Sequence, residues 1–285
     1  MSVRKSVVVL YRLCWITFLV MVVSFSIHSP FPYWLTWVPA AAAFALLLVA
    51  GRKARAAAAD PRPAVEVGAP VSGRWAALNS PADKVPSHGV HAYGQTYAID
   101  IVAEPEGGSS RPEFRRLWPV ARRNHHFPAF GASLLAVADG TVVRASHGRR
   151  DHLSRNSVPA LIYLTLIEGA VRGVLGPGSV VGNHLVLDLG NGTYAMYAHL
   201  RRGSLRVRAG EAVRAGQILA ECGNSGNSTE PHVHFQLMDD PDLDVAIGIP
   251  FIWHGIGVPA NGETFTAGGT VGGRRVAESG PTQGI

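Results

Sequence analysis

The sequence predicts a mainly β domain, an antiparallel two-layer or barrel-sandwich-like fold, preceded by two transmembrane helices. Three observations predict it. The run from residue 13 to residue 51 contains no Asp, Glu, Lys or Arg. Beyond residue 85, short apolar segments alternate with glycine-containing turns, as in sheets built from short strands. Within that region the segment 231–235, Pro-His-Val-His-Phe, places two histidines on the same face of a strand.

The composition favours a chain that is partly embedded in a membrane. Hydrophobic residues make up 47% of the 285 residues and charged residues only 16%. The net charge of +6 suits an anionic partner, such as lipid headgroups, a cell-wall polymer or nucleic acid. Because no nucleic-acid-binding motif is present, we expect no nucleic-acid partner. Cys14 and Cys222 lie far apart in different regions, so they identify no redox compartment.

The charge-free run predicts two membrane helices, about residues 7–27 and 33–50, separated by a turn-rich cluster at 28–32. A span needs about 20 apolar residues, which both segments approach. An aromatic belt suited to the membrane interface opens the second helix with Tyr33, Trp34 and Trp37. The alternative for the first run is a signal peptide, but no small-residue cleavage site follows it.

Composition also predicts the domain organisation. A membrane hairpin covers residues 1–55, and an Ala-, Arg- and Pro-rich linker covers 56–80. The main domain covers 81–258, and a flexible Gly-rich tail covers 259–285. The predicted strands are 97–102, 133–138, 140–145, 185–189, 193–199, 211–213, 217–222 and 232–238.

A helical insertion at about 157–175 interrupts the strands, with apolar residues on more than one face. Such a helix can pack on the sheet or touch the membrane. We favour packing, because Glu168 and Arg172 form an (i, i+4) pair on one helical face.

The histidine pair is the strongest chemical signal. In a strand, His232, His234 and Gln236 share one face while the intervening residues enter the core. Successive imidazoles on that face lie about 7 Å apart, so one can bind a metal while its neighbour acts on substrate. An isolated pair of this kind is more often two surface histidines on a half-buried strand.

Three further features favour a functional role for the histidine pair over that structural interpretation. His199 ends another candidate strand in the sequence Tyr-Ala-His-Leu. A tight polar loop at 223–228, Gly-Asn-Ser-Gly-Asn-Ser, leads into the histidine pair. Asp100 places a carboxylate among apolar neighbours. Each of these residues taken alone is more often structural.

Together these motifs resemble, in order and spacing, the C-terminal half of the lysostaphin-like (LytM-type) zinc metalloendopeptidases, a duplicated-hybrid-motif domain. The matching motifs are Tyr-Ala-His-Leu at 197–200, Val-Arg-Ala-Gly-Gln at 213–217, the polar loop at 223–228 and Pro-His-Val-His-Phe at 231–235. The segment 136–143 resembles the strand pair that precedes this block. The resemblance covers roughly residues 85–255.

The resemblance implies a zinc ion held by a His and an Asp of an N-terminal motif and by the second His of His-x-His. It assigns Asp100 and His234 to the metal, and His199 and His232 to the water and the oxyanion. Three protein ligands leave a fourth position open, as catalytic zinc sites require. The chain departs from the usual motif at Thr96, which stands where a His is expected four residues before the Asp.

His88 and His91 are the candidates for the missing ligand. We expect His88, because Gly89 follows it and the longer path to Asp100 leaves more slack for the chain to return. Relatives that share Gln-x-Tyr-Ala-x-Asp, as at 95–100, also place their His nearer to position 88. The alternative is that both are ordinary loop residues. We interpret His125, His126, His147, His152, His184 and His254 as solvated loop residues.

The resemblance predicts a membrane-tethered zinc endopeptidase that cuts peptide bonds of peptidoglycan. The alternative is a degenerate member that binds cell wall or regulates a partner hydrolase. A biotinyl- or lipoyl-type carrier barrel, suggested by 207–219, is set aside because that region has no lysine. A cell-wall substrate predicts an extracytoplasmic domain. The basic residues at both ends of the hairpin predict the cytoplasmic side by the positive-inside rule, so the two arguments conflict.

Overall fold

The computed structural model describes residues 3–28, 32–107 and 110–268. Its strands, in chain order, are β1 Val65–Val67, β2 Gly73–Leu78, β3 Ile99–Ala103, β4 Ser133–Leu135, β5 Gly140–Ser146, β6 His184–Asp188, β7 Tyr194–Ala198, β8 Ala212–Val213, β9 Ile218–Glu221, β10 Val233–Met238, β11 Gly248–Ile249, β12 Phe251–Trp253 and β13 Thr264–Ala267. Three short 3-10 helical segments are Tyr33–Thr36, Ala92–Tyr97, which is kinked at 93–95, and Asn124–His126.

The N-terminal hairpin consists of α1, Val3–His28, and α2, Trp37–Ala59. Aromatic contacts join them, with ring centroids of Phe18 and Trp37 at 5.5 Å. Helix α2 continues well past the predicted end at residue 50, because the alanine-rich segment that follows favours helix until Pro61. Part of the turn predicted at 28–32 lies outside the described residues.

The predicted insertion is a helix in three pieces. It comprises α3 Val158–Tyr163, a widened π turn Leu164–Glu168 and α4 Gly169–Leu175; a short α5, Pro177–Val180, follows. The Ser157 side chain accepts the Ala160 N–H and caps its start. Gly176, at φ +95°, ends it. We call Val158–Leu175 the insertion helix.

Among the described residues, three helices are long and apolar enough to cross a membrane, not two as predicted. They are Lys5–Phe25, Tyr33–Arg52 and the insertion helix. The sequence prediction counted only the charge-free run and passed over the third helix, because Glu168 and Arg172 interrupt its apolar residues.

The β strands form mainly antiparallel sheets, which confirms the predicted fold class. The large sheet has the order β13-β2-β3-β10-β7-β6-β5-β8, with β11 beside β10. Its neighbouring strands pair antiparallel, and β4 with β9 forms a second antiparallel pair. The exception is β1 with β12, which pair in parallel.

Side chains of the central strands alternate between the two faces of the sheet, and this separates the core from the candidate site. The side chains of Ile99, Ile101, Val233, Phe235 and Leu237 are fully buried in one large apolar cluster. Their neighbours in sequence therefore project to the opposite face. There a smaller cluster is formed by Val181, Val186, Met196, Ala198, Met238, Leu243 and Ala246. The candidate site lies on this second face.

Two predicted boundaries of the main domain are too narrow. The predicted linker at 56–80 contains β1 and β2, and β2 pairs with β3 so that Leu78 lies opposite Asp100. The predicted tail at 259–285 contains β13, which pairs with β2; residues 269–285 lie outside the described residues. Short strands of this kind are stabilised by packing against distant partners, so local composition does not reveal them.

Candidate metal centre

Strand pairing brings the candidate residues together. In the antiparallel register, His234 of β10 lies opposite Asp100 of β3 on one side and Ala198 of β7 on the other. His199 directly follows β7, with φ at +59°. That left-handed conformation is uncommon for a non-glycine residue. It is held by hydrogen bonds from the His199 N–H to Val181 O and from the Gly223 N–H to His199 O.

Asp100 lies between two imidazoles. Its Oδ2 is 3.0 Å from His88 Nε2, and its Oδ1 is 2.9 Å from His234 Nδ1. One possible ligand atom from each of these three residues lies within 4.8 Å of the others. Tetrahedral zinc with bonds of about 2.1 Å needs ligand atoms roughly 3.4 Å apart. Two imidazoles and a carboxylate at this spacing fit a zinc ion after small side-chain movements, and nitrogen donors suit zinc better than calcium or magnesium.

Outer partners orient all three side chains. Asn79 Nδ2 donates to Asp100 Oδ2 at 2.8 Å, and Ser87 Oγ lies 3.0 Å from His88 Nδ1. Gln236 Oε1 lies 3.0 Å from His234 Nε2. Partners of this kind fix ring orientation and donor basicity in metal sites. Sequence reasoning placed Gln236 on this face but missed Asn79 and Ser87, which belong to no motif.

The structure brings His88 to this cluster and holds His91 apart. His91 Nδ1 pairs with Thr96 Oγ1 at 3.1 Å instead. The chain between His88 and Asp100 reverses through Gly94, at φ +74°. A Cβ on Gly94 would lie 2.9 Å from Gln236 Nε2 and 3.1 Å from Met238 Cβ, so a side chain there would press on the site.

His199 and His232 face the same cluster with their rings 4.8 Å apart. His199 Nδ1 lies 2.7 Å from Ser225 O, and His232 Nδ1 lies 2.8 Å from Glu230 O. Because a backbone carbonyl only accepts, each Nδ1 must carry a proton. In the neutral rings each Nε2 is therefore left without a proton, and His232 Nε2 lies 3.5 Å from Asp100 Oδ1.

Burial and charge shift the pKa values of this group in different directions. Burial would raise the pKa of Asp100, but the charges of His88 and His232 and hydrogen bonds from His232 and His234 hold it well below its usual range. Burial lowers the pKa of His199, and the neighbouring His232 and His234 lower it further. For His232 burial acts downward, but Asp100 and Glu230 raise its pKa overall. The centre thus combines an ionised carboxylate, one neutral imidazole and one that gains a proton readily.

The polar loop at 223–228 holds the carbonyl that orients His199. Ser225 Oγ accepts the Asn183 N–H at 3.0 Å and donates to Leu200 O. Gly226 passes so close to Gly182 that a Cβ on either would lie within about 2.5 Å of the other segment's backbone. The glycines of this motif therefore serve close backbone approach.

Two histidines were wrongly predicted to be solvated. His152 is buried with Nε2 2.9 Å from Gly226 O, beside the polar loop. His184 is buried with Nδ1 2.9 Å from Gly182 O. His152 supports the polar loop, and His184 supports the Gly182 backbone that packs against it; burial lowers the pKa of each histidine. His125 and His126 stack on each other in an exposed turn, away from the cluster.

Comparison with known proteins confirms the family resemblance. Residues 164–244 match the model of peptidase family M23. This range includes His199, His232 and His234 but not His88 or Asp100, so the placement of those two rests on the geometry above.

The chain is similar to the glycyl-glycine endopeptidase ALE-1 of Staphylococcus capitis, with 41% identity over 58 residues, or 20% of this chain and 16% of the relative. It is also similar to the peptidoglycan DD-endopeptidase ShyA of Vibrio cholerae, with 37% identity over 57 residues, 20% of this chain and 13% of the relative. The chain thus spans about a sixth or less of these relatives' length. The solved catalytic domain of lysostaphin from Staphylococcus simulans aligns over 56% of this chain and 76% of its own, at 21% identity and a TM-score of 0.30.

Proposed function

We propose that this chain, which carries a LytM-type region of peptidase family M23, is a membrane-tethered zinc endopeptidase that hydrolyses peptide bonds of bacterial peptidoglycan. One observation carries the proposal. His88, Asp100 and His234 offer ligand atoms within 4.8 Å of one another, and two further imidazoles face the same point. A purely structural cluster needs no second pair of histidines with unprotonated nitrogens.

Each side chain has a role in this proposal. His88, Asp100 and His234 hold the metal, and three protein ligands leave a position for water or substrate. Zinc in such a site supplies Lewis acidity and lowers the pKa of a water molecule that it binds. His199 and His232, each protonated at Nδ1, present Nε2 to the centre. One of them takes the proton of the attacking water, and the proton is passed to the departing amine.

The substrate class comes from the relatives. ALE-1 is named for a glycyl-glycine bond and ShyA for peptidoglycan. Both names describe endopeptidases, and the name of ShyA specifies peptidoglycan, so we propose peptide bonds of peptidoglycan as the substrate class of this chain. A basic surface, with a net charge of +6, suits an anionic wall polymer.

The hairpin supplies the tether. Lys5 donates to Asp242 Oδ2 at 2.6 Å and Arg12 to Asp244 Oδ1 at 2.7 Å, which holds the start of α1 against the domain. At the other end of the hairpin, Tyr97 Oη donates to Ala58 O of α2 at 3.4 Å. These contacts support a hairpin whose two ends lie on the domain's side of the membrane. We propose that this side is extracytoplasmic, where peptidoglycan is.

A second candidate is the degenerate, non-catalytic member that binds cell wall or regulates a partner hydrolase. Thr96 at the usual first-ligand position favours it. Against it, His88 stands 3.0 Å from Asp100 and offers the imidazole that Thr96 lacks.

Metal analysis and digestion together separate the two candidates. The full chain, purified in detergent micelles, is stripped with a chelator and titrated with zinc. It is then assayed on purified peptidoglycan. We expect about one zinc per chain and release of new amino termini that depends on the zinc. Zinc binding without hydrolysis of any wall peptide would favour the non-catalytic candidate, and failure to bind zinc would contradict both the site and the activity.

The side of the membrane is tested by protease accessibility in intact, wall-stripped cells. We expect an added protease to degrade the C-terminal domain. Full protection in intact cells, with degradation after lysis, would place the domain in the cytoplasm and leave it without its proposed substrate.

A further inference from the structure

The insertion helix packs on the domain by one narrow stripe and exposes the rest of its surface. The buried or half-buried positions are Ala160, Leu164, Glu168 and Arg172, spaced by four residues, and Gly169 beside Glu168. The other large side chains of the helix are apolar and exposed, with Val174 at 89%. They are Val158, Leu161, Ile162, Tyr163, Leu166, Ile167, Val171, Val174 and Leu175. An exposed apolar surface of this extent marks an interaction site.

This helix cannot cross a membrane in the folded domain, although it is long enough. Its length is about 27 Å at 1.5 Å per residue, so a span would place its ends on opposite sides. Both ends belong to the same folded domain, through Ser157 at the start and α5 at the end. Its middle is also fixed, because Glu168 accepts two hydrogen bonds from Arg155 at 2.8 and 2.9 Å. Arg172 Nη1 donates to Asn227 Oδ1 at 2.9 Å.

A neighbouring loop extends the apolar surface and adds positive charge. The segment 114–120 runs beside the start of the insertion helix, where Arg115 and Val158 are joined by a backbone hydrogen bond of 3.1 Å. Trp118 is 80% exposed, and the other exposed apolar side chains of the segment are Phe114, Leu117 and Val120. Arg115, Arg116 and Arg123 lie exposed among or beside them. Apolar and aromatic side chains ringed by arginine are typical of surfaces that enter the membrane interface.

The hairpin places this surface next to the bilayer. Arg12 of α1, which pairs with Asp244, has its Nη2 3.6 Å from the position that a Cβ on Gly176 would occupy. Gly176 ends the insertion helix, so the C-terminal end of that helix lies beside α1 of the hairpin.

We propose that the insertion helix and the segment 114–120 form a docking face that lies in the interface of the same bilayer that holds the hairpin. The apolar side chains enter the acyl boundary, and the arginines contact anionic headgroups, each contributing through the negative surface potential. The domain then has two membrane attachments, the hairpin and the docking face. Two attachments hold the metal centre at one height and orientation, which a single tether does not.

Depth-dependent quenching tests this proposal on the full chain. Cys14 is replaced by Ala, and Cys222 is buried and unreactive. A fluorescent maleimide is attached to Val174→Cys in the docking face, or to Ala209→Cys on an exposed loop outside it as the matched control. Each protein is placed in nanodiscs of phosphatidylglycerol and phosphatidylcholine that carry spin-labelled acyl chains.

We expect strong quenching of the probe at 174 and none at 209. Unlabelled Val174→Cys should also react about tenfold more slowly than Ala209→Cys with a membrane-impermeant maleimide, since the interface shields it. Replacing the anionic lipid with phosphatidylcholine, or Arg115 and Arg116 with Gln, should weaken both effects.

Two outcomes would overturn the proposal. A probe at 174 that is unquenched and fully reactive shows a face open to water. A probe that is protected but unquenched shows a face covered by protein, such as a second copy of the chain. Neither readout depends on peptidase activity, so failure here is distinct from failure of the proposed function.

Discussion

The candidate metal centre and the proposed docking face both depart from the usual placement of polar and apolar side chains, and they do so in opposite directions. The centre buries a carboxylate and three imidazoles of β3, β10 and the end of β7, where a fold alone would place apolar side chains. The docking face exposes the leucine, isoleucine and valine side chains that a fold alone would bury. A buried polar cluster is costly unless its members pair with each other, and an exposed apolar face is costly unless something covers it.

The two regions therefore need different partners to satisfy their side chains. In the candidate centre, Asp100 already pairs with His88 and His234, and the proposed zinc ion would replace those pairings. In the proposed docking face, the domain covers only a narrow stripe of the insertion helix, and the proposed bilayer contact would cover the rest. Changes in the centre should therefore abolish chemistry and leave the fold intact. Changes in the stripe should loosen the helix and leave the chemistry intact.

The largest effect should follow from removing a ligand of the centre. We expect Asp100→Ala and His234→Ala to lose zinc and, with it, hydrolysis, because two remaining ligands leave the ion open to water. The loss of zinc affinity should exceed the roughly 10–100-fold that an outer partner costs. Zinc titration of chelator-stripped protein measures it, with the exposed His254→Ala as control. Full zinc occupancy in His234→Ala would contradict the assignment.

Zinc binding by variants of the two upstream histidines tests which of them is a metal ligand. We expect His88→Ala to lose zinc and His91→Ala to keep it. Of these two histidines, only His88 pairs with Asp100, with its Nε2 3.0 Å from Asp100 Oδ2. The same titration compares them, and each variant serves as the control for the other. Loss of zinc in His91→Ala alone would show that the chain rearranges around the metal. Zinc retained in both would mean that another group holds it.

The proton-transfer residues should separate binding from chemistry. We expect His199→Ala and His232→Ala to bind zinc with nearly unchanged affinity while hydrolysis falls about 10²–10⁴-fold, the usual contribution of general acid–base catalysis. The ratio of variant to wild-type hydrolysis rates on peptidoglycan, measured at saturating zinc, gives the size of this fall. A variant that cuts at the wild-type rate would remove that histidine from the mechanism.

The smallest effect should come from the stripe under the docking face. Glu168→Gln should lower the free energy of unfolding by about 1–3 kcal/mol at pH 7, because a charged hydrogen-bond acceptor for Arg155 is lost. Urea unfolding in detergent measures it. The exposed pair of Arg74 and Glu106 provides the control, since Glu106→Gln should change stability little. Hydrolysis by Glu168→Gln at wild-type levels completes the contrast with the centre.

The effect of Glu168→Gln on the free energy of unfolding should depend on pH. Burial acts to raise the pKa of Glu168, but the hydrogen bonds from Arg155 and the charges of Arg155 and Arg172 lower it below its usual range. A lowered carboxyl pKa means that the stabilisation is fully present above the unfolded-state value and is lost as the pH falls through the folded-state value. The difference in stability between wild type and Glu168→Gln should therefore shrink as the pH falls below the unfolded-state pKa and vanish below the lowered folded-state pKa. A difference in stability that persists at still lower pH would show that packing, and not charge, causes it.

Much of the centre was predictable from local pattern. Alternation in a strand is set by backbone geometry alone, so His232 and His234 had to share a face once 232–238 was read as a strand. The mainly antiparallel β class and the two N-terminal helices that are apolar enough to cross a membrane followed from periodicity and charge in the same way. The motif resemblance then identified Asp100 and His199 as their companions.

Other features depended on distant parts of the chain. Residues 73–78 and 264–267 read as linker and tail, yet they are β2 and β13 of the large sheet. Asn79, which holds Asp100, lies in that supposed linker. The proximity of His88 to Asp100 depends on a reversal at Gly94 that no periodicity encodes.

Local sequence was enough to predict which side chains share a face of a strand and where the two N-terminal apolar helices lie. Both properties arise within a few residues, from the fixed geometry of the backbone and from local hydrophobicity. Only the tertiary structure decided that His88 reaches the centre, that β2 and β13 complete the sheet, and that the insertion helix turns its charged stripe inward. Those outcomes depend on which distant surfaces meet when the chain closes its loops, and on whether buried charges find partners there.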